Sequence, residues 1–233
     1  MLAAAVLYSS VGHAGASAYL AAMGLFGVAP AAMRPAALVM NVVVATAGTW
    51  RFASAGVVPW RLLTPLCAAS VPAAFVGGAV QLPAKVYAPL LALTLVFGAW
   101  RLWAQLERAD LRPAPGARVL LAVGAGFGLL AGLTGIGGGI FLSPTLILAG
   151  WETPRRTAGA SVTFILANSI AGLLGHLSTA GRVPPGTALL AAVALVGGLY
   201  GSWLGARRLP PLAIRRLLAV VLVVAGVKLL LSG

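Results

Sequence analysis

Long apolar stretches follow one another along the chain, and short polar segments separate them. Residues 62–80, 86–103, 187–204 and 212–231 consist almost entirely of apolar and small side chains. A helix needs roughly 20 such residues to cross the hydrocarbon core of a bilayer. The pattern therefore predicts an all-α polytopic membrane protein.

Each half of the chain begins with two shorter apolar segments that glycines separate. The first pair covers residues 2–11 and 17–28, and the second covers residues 119–134 and 140–150. At a rise of about 1.5 Å per residue, most of these segments are too short to cross a bilayer separately. Each pair therefore forms either one broken crossing or a re-entrant hairpin.

The basic residues discriminate between these alternatives, because cytoplasmic loops carry an excess of Lys and Arg. If each pair is one broken crossing, the 16 basic residues divide equally between the two sides. If each pair is a hairpin, one side keeps only Arg34, Lys85, Arg182 and Lys228, and the other side collects the rest. We therefore predict two hairpins and six full crossings, with both termini in the periplasm.

The two halves of the chain repeat each other in the same order. Residues 56–59 (GVVP), for example, recur in type as residues 181–184 (GRVP). The most hydrophilic stretch, residues 105–116, is predicted to be a cytoplasmic linker between a first repeat, 1–104, and a second repeat, 117–233. Three crossings in each repeat would invert the second relative to the first, as in many secondary transporters.

Composition agrees with a membrane protein and argues against several other classes. The chain is 61% hydrophobic and 8% charged, and its formal net charge is +13. The basic residues lie singly or in pairs at the ends of apolar runs, so we do not expect nucleic-acid binding. Cys67 is the only cysteine, and no Ser or Cys nucleophile has a credible base nearby. We therefore expect neither an enzyme nor a cofactor or metal site.

The glycine breaks at residues 12–17 and 134–139 are the expected site of the chemistry. Successive glycines leave backbone N–H groups accessible, and the half-helices that start near Ser17 and Ile140 direct their positive ends toward the breaks. This arrangement favours an anion, bound where the two breaks meet near the membrane centre. The alternative is that Gly137, Gly138 and Gly139 only permit close helix crossing.

The distribution of titratable residues also favours an anion. No predicted crossing contains Asp or Glu, whereas cation exchangers and proton relays commonly use acids within the membrane. His13 and His176 are the side chains that titrate near neutral pH. His13 lies in the first break and is a candidate for binding substrate or protons, with a structural role as the alternative. His176 lies near the end of a crossing, where we expect an interfacial role.

Uncharged polar residues occur in the segment after each hairpin. They are Asn41 and Thr46 in the first repeat, and Ser161, Thr163, Asn168 and Ser169 in the second. Such groups can donate hydrogen bonds to an oxyanion, although bonds between helices explain them equally well. The predicted substrate site comprises Gly12, His13, Gly15, Ser17, Asn41, Gly135, Gly137, Gly138, Gly139, Ser161 and Asn168. Arg34, Arg155 and Arg156, in the short loops after the hairpins, are interpreted as orientation anchors, with attraction of anions as the alternative.

These motifs resemble those of a known family. Residues 132–139 (GLTGIGGG), followed by Pro144 and residues 157–161 (TAGAS), resemble the signature of the sulfite exporter TauE/SafE family of membrane permeases. Residues 9–17 (SSVGHAGAS) are similar to a first-half version of the same motif. The two glycine breaks differ in sequence, since the first contains GHAGA (residues 12–16) where the second contains GIGGG (residues 135–139).

The resemblance implies transport of sulfur-containing or carboxylated anions, commonly by export across the bacterial inner membrane. We therefore expect a secondary transporter that exports sulfite or small organosulfonates. An anion channel, or an uptake permease for another organic anion, is the alternative. The expected partners are a small anionic substrate and the lipid bilayer, and a homodimer is one candidate for the assembly.

Overall fold

The described part of the chain is helical in the computed structural model, in agreement with the predicted all-α class. The structure describes residues 1–2, 5–6, 16–104, 110–179, 182–205 and 211–232. The helices in these residues are α1 (Ala16–Leu25), α2 (Pro30–Ser54), α3 (Trp60–Ala79), α4 (Ala84–Ala104), α5 (Ala117–Thr134), α6 (Gly139–Leu148), α7 (Pro154–Thr179), α8 (Thr187–Gly205) and α9 (Pro211–Ser232).

Five of the described helices, α2, α3, α4, α5 and α7, are long and apolar enough to cross a membrane. Helix α5 was predicted to be one arm of a hairpin, yet its 18 residues would reach about 27 Å. Helices α8 and α9, predicted as full crossings, are 19 and 22 residues long. Helix α6 has only 10 residues, so it is too short to cross alone.

The helices pack into two compact units, and each unit draws on both predicted repeats. The first unit comprises Met1–Val44, Leu82–Gln105 and Val183–Gly233. The second unit comprises Ala45–Gln81 and Leu106–Arg182. Helix α3 thus packs against α5 and α7 and shares a unit with α6, all three from the other half of the sequence. The inverted relation between the repeats stays a prediction.

A row of small residues holds α5 against α3 in the second unit. Gly124, Gly128 and Gly132 lie one turn apart on a buried face of α5. A Cβ atom at any of the three would collide with a backbone carbonyl of α3, namely those of Leu66, Ser70 and Ala74 respectively. Such small-residue spacing lets helices in a membrane approach closely enough for backbone-to-backbone contact. Because these contacts occur in the same order along both helices, α3 and α5 run parallel.

Helix α7 packs against α3 in the same way and in the same direction. Gly159, near the start of α7, lies next to Val57, just before α3. Further along, a Cβ atom on Gly78 would collide with the carbonyl of Gly172, and one on Gly175 would collide with the carbonyl of Phe75. Helices α3, α5 and α7 therefore all begin at one end of the second unit.

Helix α6 returns to the end at which α5 begins. The rings of Phe127 in α5 and Phe141 in α6 are stacked with their centroids 5.7 Å apart. Beyond α6, the carbonyl of Gly150 accepts a hydrogen bond of 2.7 Å from the N–H of Arg112, which precedes α5. The pair α5–α6 is therefore a hairpin and not one broken crossing, as the distribution of basic residues predicted.

The tip of this hairpin lies further along than the sequence suggested. Gly132 packs against Ala74 and the N–H of Gly78, and α3 itself ends at Ala79. The tip after Thr134 is therefore beside the last turn of α3. If α3 spans the bilayer, the tip is near its far surface, which differs from the expected position at the membrane centre. The reason is that α5 stays in register with α3 over its whole length.

The first unit is built around contacts of α9 with α1 and α4. Gly24 of α1 lies against the side chain of Leu229, and Gly226 of α9 lies against the carbonyl of Ala92 in α4. The Lys228 ammonium group donates a hydrogen bond to the carbonyl of Leu25, the last residue of α1. A cation at this position complements the negative end of the helix. These contacts position α1, which carries part of the predicted site.

We predict that Gly128→Ala destabilises the protein, whereas Gly126→Ala does not. Both substitutions favour the helix by about 1 kcal/mol in intrinsic propensity. Only Gly128 has a backbone carbonyl where the new methyl group would lie, while a Cβ atom on Gly126 meets open space. Overpacking of this kind costs about 1–3 kcal/mol.

The measurement is the apparent melting temperature of the two purified variants in the same detergent. A clear decrease for Gly128→Ala alone is expected. Equal melting temperatures for the two variants would contradict the close packing of α3 and α5.

Candidate anion-binding site

The second glycine break connects α5 to α6 through residues in the left-handed region of backbone conformation. Gly135 ends α5 with φ of 82°, and Gly137 and Gly138 follow with φ of 80° and 84°. Residues with a Cβ atom rarely adopt this conformation, so the turn depends on glycine. Residues 135–139 are all buried. The sequence prediction that a half-helix starts near Ile140 is confirmed, because α6 begins at Gly139.

Several backbone donors without partners lie at this break. Within the described residues, no hydrogen bond reaches the N–H groups of Gly137, Gly138, Gly139 or Ile140. These residues are buried, and buried backbone donors without partners are rare in proteins. The groups also lie at the positive end of the α6 dipole. The break therefore has the donors and the electrostatic potential that an anion requires.

Helix α7 forms the wall behind the break. A Cβ atom on Gly138 would lie 2.8 Å from Cε1 of Phe164, and one on Gly139 would lie 2.5 Å from Cδ1 of Ile165. A larger residue at Gly138 would also be strained by its φ of 84°, whereas one at Gly139 would require the Ile165 side chain to move. Phe164 also belongs to the apolar cluster that joins α3, α5, α6 and α7. The packing of α7 thus excludes larger residues from the break and fixes its backbone.

Two serine hydroxyls join α6 to α7 one helical turn after the break. Ser143 Oγ donates to the carbonyl of Gly139 over 2.9 Å, and it lies 2.6 Å from Ser161 Oγ. Because the Ser143 proton is used on Gly139, the Ser161 hydroxyl donates to Ser143. Ser161 was predicted in the site, and the structure places it beside Gly139.

Asn168 is one helical turn beyond Phe164 on the face of α7 that covers the break. Its side chain is completely buried, and Nδ2 donates to the Phe164 carbonyl over 2.9 Å. Its Oδ1 atom has no hydrogen-bond partner among the described residues. The structure therefore brings Gly135, Gly137–Gly139, Ser161 and Asn168 into one region of the second unit.

The remaining predicted site residues belong to the first unit or lie outside the described residues. Ser17, at the start of α1, and Asn41, in α2, are both buried. The prediction that a half-helix starts near Ser17 is confirmed, because α1 begins at Ala16. Gly12, His13 and Gly15 lie outside the described residues, so their contribution stays a prediction.

Arg34 and His176 occupy environments that differ from the expected ones. Arg34 was interpreted as an orientation anchor in a loop, but it lies in the second turn of α2 with 5% of its surface exposed. His176 is also buried, and its Nε2 lies 3.2 Å from the Arg182 carbonyl, which indicates a structural role. Arg155 and Arg156 are exposed at the start of α7, in agreement with anchors.

Sequence reasoning missed the residues that shape the site without contacting an anion. Ser143 is four residues after Gly139, and this spacing places its hydroxyl near that carbonyl. The recurrence of glycine at 124, 128 and 132 was a detectable signal for close packing of α5. No sequence signal identified Phe164 and Ile165 as the wall, because their partners are distant in the chain.

The fold and the break together define a class: a multi-pass membrane transporter with a glycine-broken helical hairpin. A model of the family described as sulfite exporter TauE/SafE matches residues 1–229, and the chain belongs to this family. The resemblance that the glycine motifs carry is thereby confirmed.

Two relatives are described as probable membrane transporter proteins. The first, y4hK of Sinorhizobium fredii (strain NBRC 101917 / NGR234), is 37% identical over 235 residues, which cover 97% of this chain and 94% of that protein. The second, YunE of Bacillus subtilis (strain 168), is 32% identical over 121 residues, or 50% of this chain and 42% of that protein. No solved structure gives a significant match to the chain.

Proposed function

We propose that the protein is a secondary transporter that exports sulfite or small organosulfonates across the bacterial inner membrane. The substrate binds at the second glycine break, and a contribution from Gly12, His13, Gly15, Ser17 and Asn41 stays a prediction from the sequence. The family model supports this substrate through its description as a sulfite exporter. The proposal needs no enzyme activity and no cofactor.

One observation carries the proposal, which is the group of unpaired N–H donors at the start of α6. Residues 137–140 supply four buried donors that have no partner in the described residues. A compact oxyanion can accept several of these hydrogen bonds at once, and charge-assisted bonds are about twice as strong as neutral ones. These hydrogen bonds replace the ones that the anion makes with water before it binds.

The surrounding helices lack the groups that would repel an anion. None of the described helices contains Asp or Glu, and Glu107, Asp110 and Glu152 lie outside them. At low dielectric, a carboxylate close to the break would oppose binding by several kcal/mol. Sulfite, sulfonates and carboxylates all satisfy this electrostatic condition, and the description of the family as a sulfite exporter supports sulfite among them.

The distribution of arginines supports an orientation for the second unit. Arg61, Arg112, Arg118, Arg155 and Arg156 lie near the end at which α3, α5 and α7 begin. The positive-inside rule assigns that end to the cytoplasm. The tip of the hairpin then lies toward the periplasm, and export would release the substrate on that side.

Sulfite flux in liposomes tests the proposal directly. We predict that the purified protein catalyses saturable movement of sulfite out of loaded liposomes, and that a pH gradient changes its rate if protons are coupled. Sulfoacetate is expected to compete with sulfite, and the measurement is the sulfite concentration that appears outside. Protein-free liposomes are the control, and no flux and no competition in this assay would contradict the proposed substrate class.

Asn168→Asp is predicted to abolish most sulfite binding. The substitution preserves the size of the side chain and, when the new carboxyl group is ionised, adds a negative charge one turn beyond Phe164, which contacts the break. Two like charges about 6 Å apart repel by about 3 kcal/mol at an effective dielectric constant of about 20, which weakens binding roughly a hundredfold. Isothermal titration of sulfite into the purified variants measures the effect.

Ser178→Asp is the matched control, because it adds the same charge at an exposed position of the same helix, about 15 Å further along. Its affinity for sulfite should equal that of the unmodified protein. Because burial raises the pKa of the new carboxyl group, affinity is measured over a pH series that extends well above neutrality. An affinity that equals that of the unmodified protein at every pH, in correctly folded Asn168→Asp protein, would place the anion elsewhere.

A further inference from the structure

A pocket lies in the second unit, at the end where α3, α5 and α7 begin. Its volume is about 470 Å³, and its lining includes Arg61, Pro65, Pro115, Trp151, Glu152 and Arg156. These residues come from the first two turns of α3, the segment before α5, the turn between α6 and α7, and the first turn of α7. The glycine break lies at the opposite end of α5, about 27 Å away along that helix. The pocket is therefore separate from the proposed transport site.

The charges in this pocket are not balanced. Arg156 Nε donates to Glu152 Oε2 over 2.8 Å, which leaves the other N–H groups of that guanidinium available. Arg61 has no hydrogen bond or ion pair within the described part of the chain. The pocket therefore contains two guanidinium groups and one carboxylate, with Arg61 unpaired. Guanidinium groups bind phosphate particularly well, because their planar donors match two of its oxygens.

Two helix starts add to this positive potential. Helices α3 and α5 begin at Trp60 and Ala117, and neither start has a side-chain cap. Residues of both first turns line the pocket, so the positive ends of both dipoles are directed toward it. The dipoles strengthen a site that the two arginines already define.

The surroundings of the pocket indicate what kind of ligand fits it. Trp60 is 54% exposed beside the pocket, and Trp residues concentrate where hydrocarbon meets the lipid headgroups. The apolar side chains of Leu62 and Leu120 also line the pocket, next to its charged groups. A ligand with a phosphate and an adjoining apolar part fits both features. Basic pockets between membrane helices commonly hold anionic headgroups.

We propose that this pocket binds the phosphate of an anionic phospholipid, with Arg61 and Arg156 as its ligands. The bound headgroup neutralises Arg61 and ties the starts of α3, α5 and α7 to one leaflet. This inference does not depend on the identity of the transported anion.

Native mass spectrometry of the purified protein in detergent tests the lipid site. Phosphatidylglycerol and phosphatidylcholine are added in separate titrations, and the retained lipid is counted. We expect preferential retention of one phosphatidylglycerol for each chain. Arg61→Gln and Arg156→Gln should each weaken it roughly tenfold, the usual effect of losing a charge-assisted hydrogen bond.

Arg155→Gln is the matched control, since Arg155 is exposed next to Arg156 but does not line the pocket. It should retain phosphatidylglycerol like the unmodified protein. Equal losses in Arg155→Gln and Arg61→Gln would show a diffuse surface charge and overturn the proposal. Equal retention of phosphatidylcholine would overturn it as well.

Competition with soluble anions shows whether the pocket binds a lipid headgroup or a free oxyanion. Millimolar inorganic phosphate or sulfite should leave the bound phosphatidylglycerol in place. If either anion displaces the lipid in the unmodified protein and binds less well in Arg61→Gln, the pocket serves a soluble anion, and the assignment to a lipid is wrong.

Discussion

The close contact between α3 and α5 determines most of the second unit. In a bilayer, helices gain little from hiding apolar side chains, so their association depends on van der Waals packing and close backbone approach. Gly124, Gly128 and Gly132 provide that approach along the whole of α5, and Gly172 and Gly175 provide it for α7. Larger residues in these rows would separate the three helices and open the region behind the hairpin.

This packing explains how an anion site can form without a charged side chain. The hairpin has a rigid frame on its α3 side and a wall, Phe164 and Ile165, on its α7 side. The glycines between α5 and α6 can therefore hold a left-handed backbone whose buried N–H groups have no partner within the described part of the chain. An anion at this place gains hydrogen bonds and the α6 dipole, while the absence of carboxylates in the described helices avoids repulsion.

Sequence patterns revealed the local features of the molecule and missed those that depend on spatial neighbours. The starts of α1 and α6 follow from the glycine breaks, and the hairpin of α5 and α6 follows from the positions of the arginines. The position of the tip and the burial of Arg34 could not be derived in this way. Both depend on which helices pack together, and α3 packs with helices from the other half of the chain.

The central claim is that the N–H groups of residues 137–140 bind the transported anion. Crystals grown with selenite, the selenium analogue of sulfite, test it most directly, because selenium gives an anomalous diffraction signal. The account predicts an anomalous peak within hydrogen-bonding distance of these four N–H groups. A selenite peak located only at other residues, with the glycine break free of selenium, would contradict it.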